Sequence, residues 1–252
     1  MPAAPRYDVL GRTYSATRQQ DPRVAAQLWA ALGEARSVLN VGAGTGNYEP
    51  SDRMVVALEP SQEMIGQRRQ RTRRVVRGVA EHLPFADAAF DASLAVFTVH
   101  HWTDREAGLR ELRRVSRRQV VLYFEPLVVH QFWAVDYFEE AKELPSEQNA
   151  PTEEMLRALL PVREVQTLLV PRDCRDGFGA AFWARPEAYL DPAVQAGTSW
   201  LALLPAAVLQ RGSDRLRRDL ASGAWDARHG HLRSRDRYDA GYRLVVAEDS
   251  AG

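Results

Sequence analysis

Residues 38–47 read Val-Leu-Asn-Val-Gly-Ala-Gly-Thr-Gly-Asn, an apolar run that passes directly into three alternating glycines. Glycine lets a backbone turn tightly and approach a ligand to van der Waals distance, so a strand followed by G-x-G-x-G indicates a binding loop. Glu59 ends the next apolar run, 17 residues after Gly42. A carboxylate at that place can accept hydrogen bonds from both hydroxyls of a ribose. The combination predicts a nucleoside site rather than a plain glycine turn with a surface glutamate.

The glycine spacing also restricts the nucleoside. The dinucleotide fingerprint G-x-G-x-x-G requires a third glycine at position 47, where this chain has Asn47. G-x-G-x-G suits a ligand without a pyrophosphate, because no phosphate then has to bind a helix N-terminus. The chain also lacks the G-x-x-x-x-G-K-[ST] sequence of a P-loop. These features predict S-adenosylmethionine as the cofactor.

Apolar runs alternate with helical patterns on both sides of the loop. The predicted strands are 37–41, 54–58, 75–76, 91–97, 119–123, 162–170 and 242–247. Asp21 followed by proline predicts one helix start, Thr152 predicts another, and Thr103 with Glu106 predicts a capping box. The order predicts an α/β fold: a Rossmann-like seven-stranded, mostly parallel sheet with helices on both faces and a helical cap insertion.

Composition sets the remaining limits. The 252 residues include 33 Lys+Arg and 33 Asp+Glu, and the formal net charge is zero, so no nucleic-acid partner is predicted. We expect a single domain over 1–252, with an N-terminal cover at 1–21 and cap elements at 127–150 and 172–240. No signal peptide and no apolar run of about 18 residues is recognised, so we expect a cytoplasmic protein without a membrane partner.

The cysteine, lysine and C-terminal histidine residues do not predict a disulfide or a metal site. Cys174 is the single cysteine, which excludes an internal disulfide and a cysteine-based zinc site. His229 and His231 lack a third partner at defined spacing, and no metal is predicted. Lys142 is the single lysine among many arginines, which we interpret as codon bias. The arginines between Arg68 and Arg77 are interpreted as a solvated helix end, with a patch for an anionic partner as the alternative.

Several further motifs join the glycine loop: residues 59–64 (Glu-Pro-Ser-Gln-Glu-Met), 80–85 (Ala-Glu-His-Leu-Pro-Phe), Phe90-Asp91, and 100–104 (His-His-Trp-Thr-Asp). With these motifs the chain resembles the class I S-adenosylmethionine-dependent methyltransferases, most of all the small-molecule, type 11-like branch. The resemblance covers about residues 7–126. It implies the fold and the cofactor but says little about the methyl acceptor.

The resemblance also implies roles around the cofactor. Gly42, Gly44 and Gly46 would line the methionine part of the cofactor, and Glu59 would bind the ribose hydroxyls. The residues implied around the adenine are Ser61, Met64, Ala80 and Glu81, and Phe97 would lie beneath the cofactor. Tyr14 and Arg18 are expected to close over the cofactor carboxylate, where an arginine–carboxylate pair is physically sensible. Asn40 stands where relatives often have an acidic residue near the cofactor's amino group, and Val79 stands where they often have Asp, so both contacts are expected to be weaker or indirect.

Methyl transfer from a sulfonium mainly requires alignment of the reacting atoms, and a base is needed only if the acceptor must lose a proton. His100 and His101 follow the fourth predicted strand, at the sheet edge where open α/β folds bind ligands. One of them, with His101 favoured, is the candidate base; the alternative is that both shape the pocket wall. Trp102 is either a packing residue or a platform for the acceptor.

Aromatic residues suggest where the acceptor binds. Phe132, Trp133, Tyr137 and Trp183, together with Trp102, are predicted to contact a small, aromatic or apolar metabolite, although most cap aromatics are expected to pack the cap onto the sheet. The predicted activity is methylation of O, N or C, with natural-product tailoring as one setting, by a monomer or a homodimer. Two alternatives stay open: a cofactor-binding protein that does not methylate, and a nicotinamide oxidoreductase.

Overall fold

The computed structural model describes residues 18–68 and 74–249. The strands in these ranges are β1 Ser37–Val41, β2 Met54–Leu58, β3 Arg74–Val76, β4 Phe90–Val96, β5 Ser116–Phe124, β6 Val162–Thr167, β7 Val170–Pro171, β8 Arg237–Tyr238 and β9 Tyr242–Glu248. Seven of them form one sheet in the order β3-β2-β1-β4-β5-β9-β6. β1 to β5 run parallel, and β9 runs antiparallel to both of its neighbours. The predicted seven-stranded, mostly parallel α/β sheet is confirmed.

The α-helices are α1 Pro22–Ala31, α2 Gln62–Gly66, α3 Arg105–Val115, α4 Pro126–Val129, α5 Pro145–Gln148, α6 Glu153–Leu159, α7 Pro192–Gly197, α8 Ser199–Ala202, α9 Ala206–Ser222 and α10 Ala224–His229. Short 3₁₀ helices span Val99–His101, Trp133–Asp136, Glu139–Glu143, Pro186–Leu190 and Gly230–Ser234. None of the described helices is both long enough and apolar enough to cross a bilayer.

The helix starts follow local chemistry, with one correction. Asp21 accepts a hydrogen bond from the Arg23 backbone and caps α1, and Thr152 caps α6 in the same way, as predicted. The predicted capping box of Thr103 and Glu106 is wrong. α3 begins one residue later, because Asp104 Oδ1 accepts the Ala107 N–H at 2.9 Å and takes the capping position.

The predicted strand 162–170 is divided in the structure. β6 follows β9 through Thr167, and the chain then turns away, so that β7 pairs with β8 in a separate two-stranded sheet. The sequence shows no break here, because Leu168, Leu169 and Val170 directly follow β6 and extend the run with apolar residues. Its division depends on which partner strand is available, and that partner lies about 70 residues further along the chain.

The cap segments pack into the core on one face of the sheet. Trp183, Trp225 and Tyr189 are fully buried there, in the same apolar cluster as α1. α3 and α6 cover the opposite face. The aromatic residues of the cap therefore belong mostly to the core, and only the cap residues nearest the carboxyl ends of β4 and β5 border the site.

Candidate active site

The glycine loop after β1 is held close to the end of β4. Gly42 has a φ of +65°, and a Cβ placed on it would lie 1.9 Å from Thr98 Oγ1. The backbone N–H groups of Gly42 and Ala43 donate to the Leu58 carbonyl at 2.9 and 3.1 Å, respectively. Only glycine satisfies both the left-handed backbone and this close approach. The loop consequently lies directly over the carboxyl ends of β1, β2 and β4.

Glu59 is buried beneath this loop, with 5 % of its surface exposed. Its carboxylate accepts the Gly44 N–H at 2.7 Å and the Ser61 N–H at 2.9 Å. The predicted ribose-binding carboxylate is thus fixed by the backbone on both sides. Ser61 is itself fully buried and caps α2 through the Met64 N–H.

A buried ion pair supports the loop from below. Arg68 and Glu49 are joined at 2.6 Å, and each side chain is at most 2 % exposed. Arg68 also donates to the Gly44 carbonyl at 3.1 Å, and Asn40 Nδ2 donates to Glu49 at 3.0 Å. For Arg68 this corrects both sequence interpretations, the solvated helix end and the anionic-partner patch. Through this bond Asn40 helps to support the glycine loop.

A cavity, which we call the cofactor cleft, opens at this loop. The predicted site residues that line it are Arg18, Asn40, Gly42, Gly44, Glu59, Met64, Ala80, Glu81, Phe97, His101 and Trp102. Gly46 and Ser61 do not line it, and Tyr14 lies outside the described residues. Glu81 has a structural task as well, because its carboxylate accepts the Thr103 and Asp104 N–H groups.

A second cavity, which we call the acceptor cavity, lies against the cofactor cleft. Arg18, Phe97 and His101 line both. The other walls are mainly aromatic and aliphatic, and they include Phe124, Val129, Phe132, Val135, Phe178, Trp200 and Tyr242. An apolar cavity that adjoins a nucleoside cleft can hold a second, apolar reactant next to the first.

Phe97 occupies the boundary between the two cavities. Its φ is +50°, a conformation that non-glycine residues adopt rarely and at a cost in free energy. Its ring contacts those of Phe178 and Tyr242, with centroids 5.2 Å away in both cases. The backbone is therefore strained at Phe97, a residue that lines both cavities.

Arg18 reaches the same boundary, but its charge is already balanced. Its guanidinium donates two hydrogen bonds to Asp176, at 2.6 and 3.2 Å, and Tyr48 donates to the same carboxylate at 2.7 Å. Burial and the charge of Asp176 raise the pKa of the Tyr48 hydroxyl. Asp176 lies 158 residues from Arg18, so no local sequence pattern predicts this pair.

The two predicted base candidates occupy different positions. His101 lines both cavities, whereas His100 lines only the acceptor cavity. The His100–His101 turn is fastened to α5, since Asn149 Nδ2 donates to the carbonyls of His100 and Trp102 at 3.2 and 3.0 Å. Of the two, His101 is the one placed where a cofactor and an acceptor could both be reached.

The structure distributes the predicted acceptor residues unevenly. Phe132 lines the acceptor cavity, whereas Trp102 lines the cofactor cleft and bonds to Thr98. Trp133, Tyr137 and Trp183 line neither, which corrects their predicted contact with an acceptor. Their polar atoms are bonded inside the cap, to Trp183 O, Asp219 and Val170 O respectively. These bonds hold the three rings in the cap packing and away from the cavity.

Four titratable residues of the acceptor cavity were not predicted. Glu147, Lys142, His130 and Tyr242 all line it. The one available signal was that Lys142 is the single lysine of an arginine-rich chain, which the sequence analysis interpreted as codon bias.

Comparison with known proteins agrees with this geometry. The profile of a family described as a methyltransferase domain matches residues 39–124, which run from β1 to the end of β5. A crystal structure from Anabaena variabilis, described as a candidate methyltransferase of an antibiotic biosynthesis pathway, is 30 % identical. It aligns over 92 % of this chain and 99 % of its own with a TM-score of 0.84. The chain belongs to the class I S-adenosylmethionine-dependent methyltransferases.

Two curated relatives concern quinones. The ubiquinone/menaquinone biosynthesis C-methyltransferase UbiE of Geotalea uraniireducens is 30 % identical over 160 residues, 56 % of this chain and 68 % of the relative. The demethylmenaquinone methyltransferase of Deinococcus radiodurans is 34 % identical over 147 residues, 52 % of this chain and 61 % of the relative. As a methyltransferase of this family, the chain uses S-adenosylmethionine, and a small molecule is its methyl acceptor.

Proposed function

We propose that this methyltransferase binds a small aromatic or apolar metabolite in the acceptor cavity and methylates it at the boundary with the cofactor cleft. One observation carries the proposal: the two cavities share Arg18, Phe97 and His101. A reactant in each would meet at that boundary. Holding two reactants in contact is the main requirement for a displacement at a methyl carbon.

The residues of the cofactor cleft fit S-adenosylmethionine chemically. Glu59 offers a fixed carboxylate at the end of β2, which suits the two ribose hydroxyls. Met64 and Ala80 present apolar surface beside it for a flat base. Gly42 and Gly44 leave the loop backbone open to the methionine part. When bound, the cofactor supplies an electrophilic methyl group on a positively charged sulfur.

The chain's own contribution is alignment, exclusion of water and one proton-accepting group. The apolar rings around Phe97 exclude water from the boundary. His101 would accept the proton of an acceptor that has to lose one, because imidazole titrates near neutral pH. An acceptor that needs no proton removal would leave His101 with only a positioning role.

The relatives narrow the acceptor that should be tried first. Since two of them are named for methylation in quinone biosynthesis, we propose carbon methylation of a quinone-type ring as the leading form of the reaction. A bicyclic aromatic ring suits the cavity walls formed by Phe97, Phe178 and Trp200. Methylation at oxygen or nitrogen of another aromatic metabolite is the broader form of the same proposal.

The first experiment is calorimetric titration with S-adenosylmethionine, S-adenosylhomocysteine and NADH. We expect micromolar binding of both adenosyl ligands, no binding of NADH, and loss of adenosyl binding in Glu59→Ala. Turnover is then measured with 1,4-dihydroxynaphthalene and methyl-labelled cofactor, and NMR of the product identifies the methylated atom. Tight cofactor binding without a methylated product from any aromatic acceptor tried would refute the proposal and favour a non-methylating role.

A further inference from the structure

The acceptor cavity carries polar groups that methyl transfer itself does not require. Glu147, His130, Lys142 and Tyr242 line this cavity, and none of them lines the cofactor cleft. The walls between them are aromatic and aliphatic. Binding pockets commonly combine such walls with a few polar groups that fix the orientation of the ligand.

Glu147 is a partly buried carboxylate among these groups, and it lines the acceptor cavity. Burial alone raises the pKa of its carboxyl group to about 7, and no neighbouring cation offsets this shift. No residue in 18–68 or 74–249 donates a hydrogen bond to this carboxylate or forms an ion pair with it. A carboxylate in apolar surroundings is costly unless a partner donates to it. A ligand in the cavity would be such a partner.

The cavity has two cationic residues, Arg18 and Lys142, and neither neutralises Glu147, since Arg18 is already paired with Asp176. The charge of Lys142 acts instead on His130, whose pKa is lowered first by burial and then by that charge. His130 Nε2 is buried and makes no hydrogen bond within the described ranges. Lys142 and His130 therefore interact electrostatically with each other, whereas no such charge acts on the Glu147 carboxylate.

Tyr242 places Glu147 relative to the aromatic wall. The charge of Glu147 helps to raise the pKa of the Tyr242 hydroxyl, after burial, so the two groups lie within electrostatic range. The ring of Tyr242 packs on Phe178, with centroids 4.9 Å apart, and on Phe97 at 5.2 Å. An aromatic ligand lying along these three rings would have one edge at the cofactor cleft and a polar edge near Glu147.

Glu147 also stands on a fixed support. It belongs to α5, and Asn149, directly after this helix, donates to the carbonyls of His100 and Trp102. This ties the carboxylate to the same turn that presents His101 to both cavities. Specificity requires such fixed positions, because a hydrogen bond loses most of its value when its geometry is poor.

We propose that Glu147 is the specificity-determining residue of the acceptor cavity, and that the acceptor is an aromatic compound whose hydroxyl or protonated nitrogen donates a hydrogen bond to this carboxylate. The inference rests on the proposed function, because it assumes that the acceptor binds in this cavity. It adds a requirement for the acceptor: a donor group at the edge away from the methylated atom.

The test compares 2-naphthol with 2-methoxynaphthalene, which keeps the ring and loses the donor. Both are titrated at pH 8 into protein saturated with S-adenosylhomocysteine. Hydrogen bonds to charged groups are strong enough that the wild type should bind the naphthol at least about tenfold more tightly. The ratio should fall to about 1–2 in Glu147→Leu and lie between these values in Glu147→Gln, which keeps one acceptor oxygen. Naphthalen-2-ylmethanamine, whose amine is protonated, then shows which donor class depends more on Glu147.

Glu139→Leu is the matched control, because Glu139 is exposed on the preceding 3₁₀ helix and lines neither cavity. It should keep the wild-type ratio. An unchanged ratio in Glu147→Leu, equal binding of both probes to the wild type, or binding of neither would overturn the inference. Binding of S-adenosylhomocysteine, measured on the same samples, separates the two proposals. Its loss would contradict the proposed function, whereas normal binding with an unchanged probe ratio in Glu147→Leu would contradict the role of Glu147 alone.

Discussion

Replacement of Glu147 by Gln should stabilise the protein, and by an amount that depends on pH. Burial raises the pKa of this carboxyl group from its ordinary value of 4.5 to about 7. The folded state therefore holds the proton more tightly than the unfolded state. The contribution of this group to the free energy of unfolding is fully present below pH 4.5 and is lost as the pH rises to about 7. The glutamine variant has no proton to lose and shows no such decline.

The pKa values set the size of this effect. One pKa unit corresponds to about 1.36 kcal/mol, so deprotonating the buried carboxyl group costs about 3 kcal/mol above pH 7. Because the cavity leaves the side chain in partial contact with water, this figure is an upper bound. The other charged or titratable groups that line this cavity are Arg18, His100, His101, His130, Lys142 and Tyr242.

Urea unfolding at pH 5 and pH 8 measures the difference. The free energy of unfolding of Glu147→Gln relative to the wild type should increase by about 2 kcal/mol between these values. Glu139→Gln, at an exposed position, should follow the wild type at both. A difference between Glu147→Gln and the wild type that stays constant from pH 5 to pH 8 would refute the reasoning. Such a carboxyl group would be ordinarily solvated.

Three further outcomes follow from the site and its supports. Arg68→Met should lower the free energy of unfolding in urea by about 3–5 kcal/mol, because it leaves Glu49 charged and buried. Adding Glu49→Gln should recover part of this loss, and a loss below about 1 kcal/mol in Arg68→Met would contradict the buried ion pair. Gly42→Ala should weaken S-adenosylhomocysteine binding at least about tenfold by calorimetry, because its Cβ would lie 1.9 Å from a side-chain oxygen, whereas Gly66→Ala, with nothing within 4 Å of the new Cβ, should bind normally. Trp183→Phe should lower the melting temperature and leave naphthol binding unchanged, because this ring lies outside the cavity; a selective loss of binding would return it to the acceptor site.

Local sequence patterns predicted the sheet closely. β1 and β2 have the predicted bounds, because each is a short, uninterrupted apolar run that ends where the chain turns. The helix starts at Asp21 and Thr152 were also predictable, since a capping side chain bonds to its own first turn. The capping box before α3 failed because Thr103 and Asp104 are adjacent candidates, and the sequence alone does not show which one takes the capping conformation.

The candidate site was only partly predictable. The residues that line the cofactor cleft cluster in motifs, so the sequence brings most of them together without knowledge of the fold. The acceptor cavity is assembled from β4, β5, β9 and the two cap segments. Aromatic residues in the cap can either fill the core or face a ligand, and composition is the same in both cases. Trp183 and Phe178 illustrate this, since they are five positions apart and only Phe178 lines the cavity.

The sequence by itself determined the fold, the family and the cofactor, because these depend on short-range patterns: apolar runs, glycine spacing and an acidic residue at the end of a strand. The tertiary structure decided which charges are paired and which are left in a cavity. Asp176 neutralises Arg18 across 158 positions, while Glu147 is partly buried and has no donor among the described residues. Both results depend on long-range packing, because desolvation and ion pairing are set by which segments meet in space.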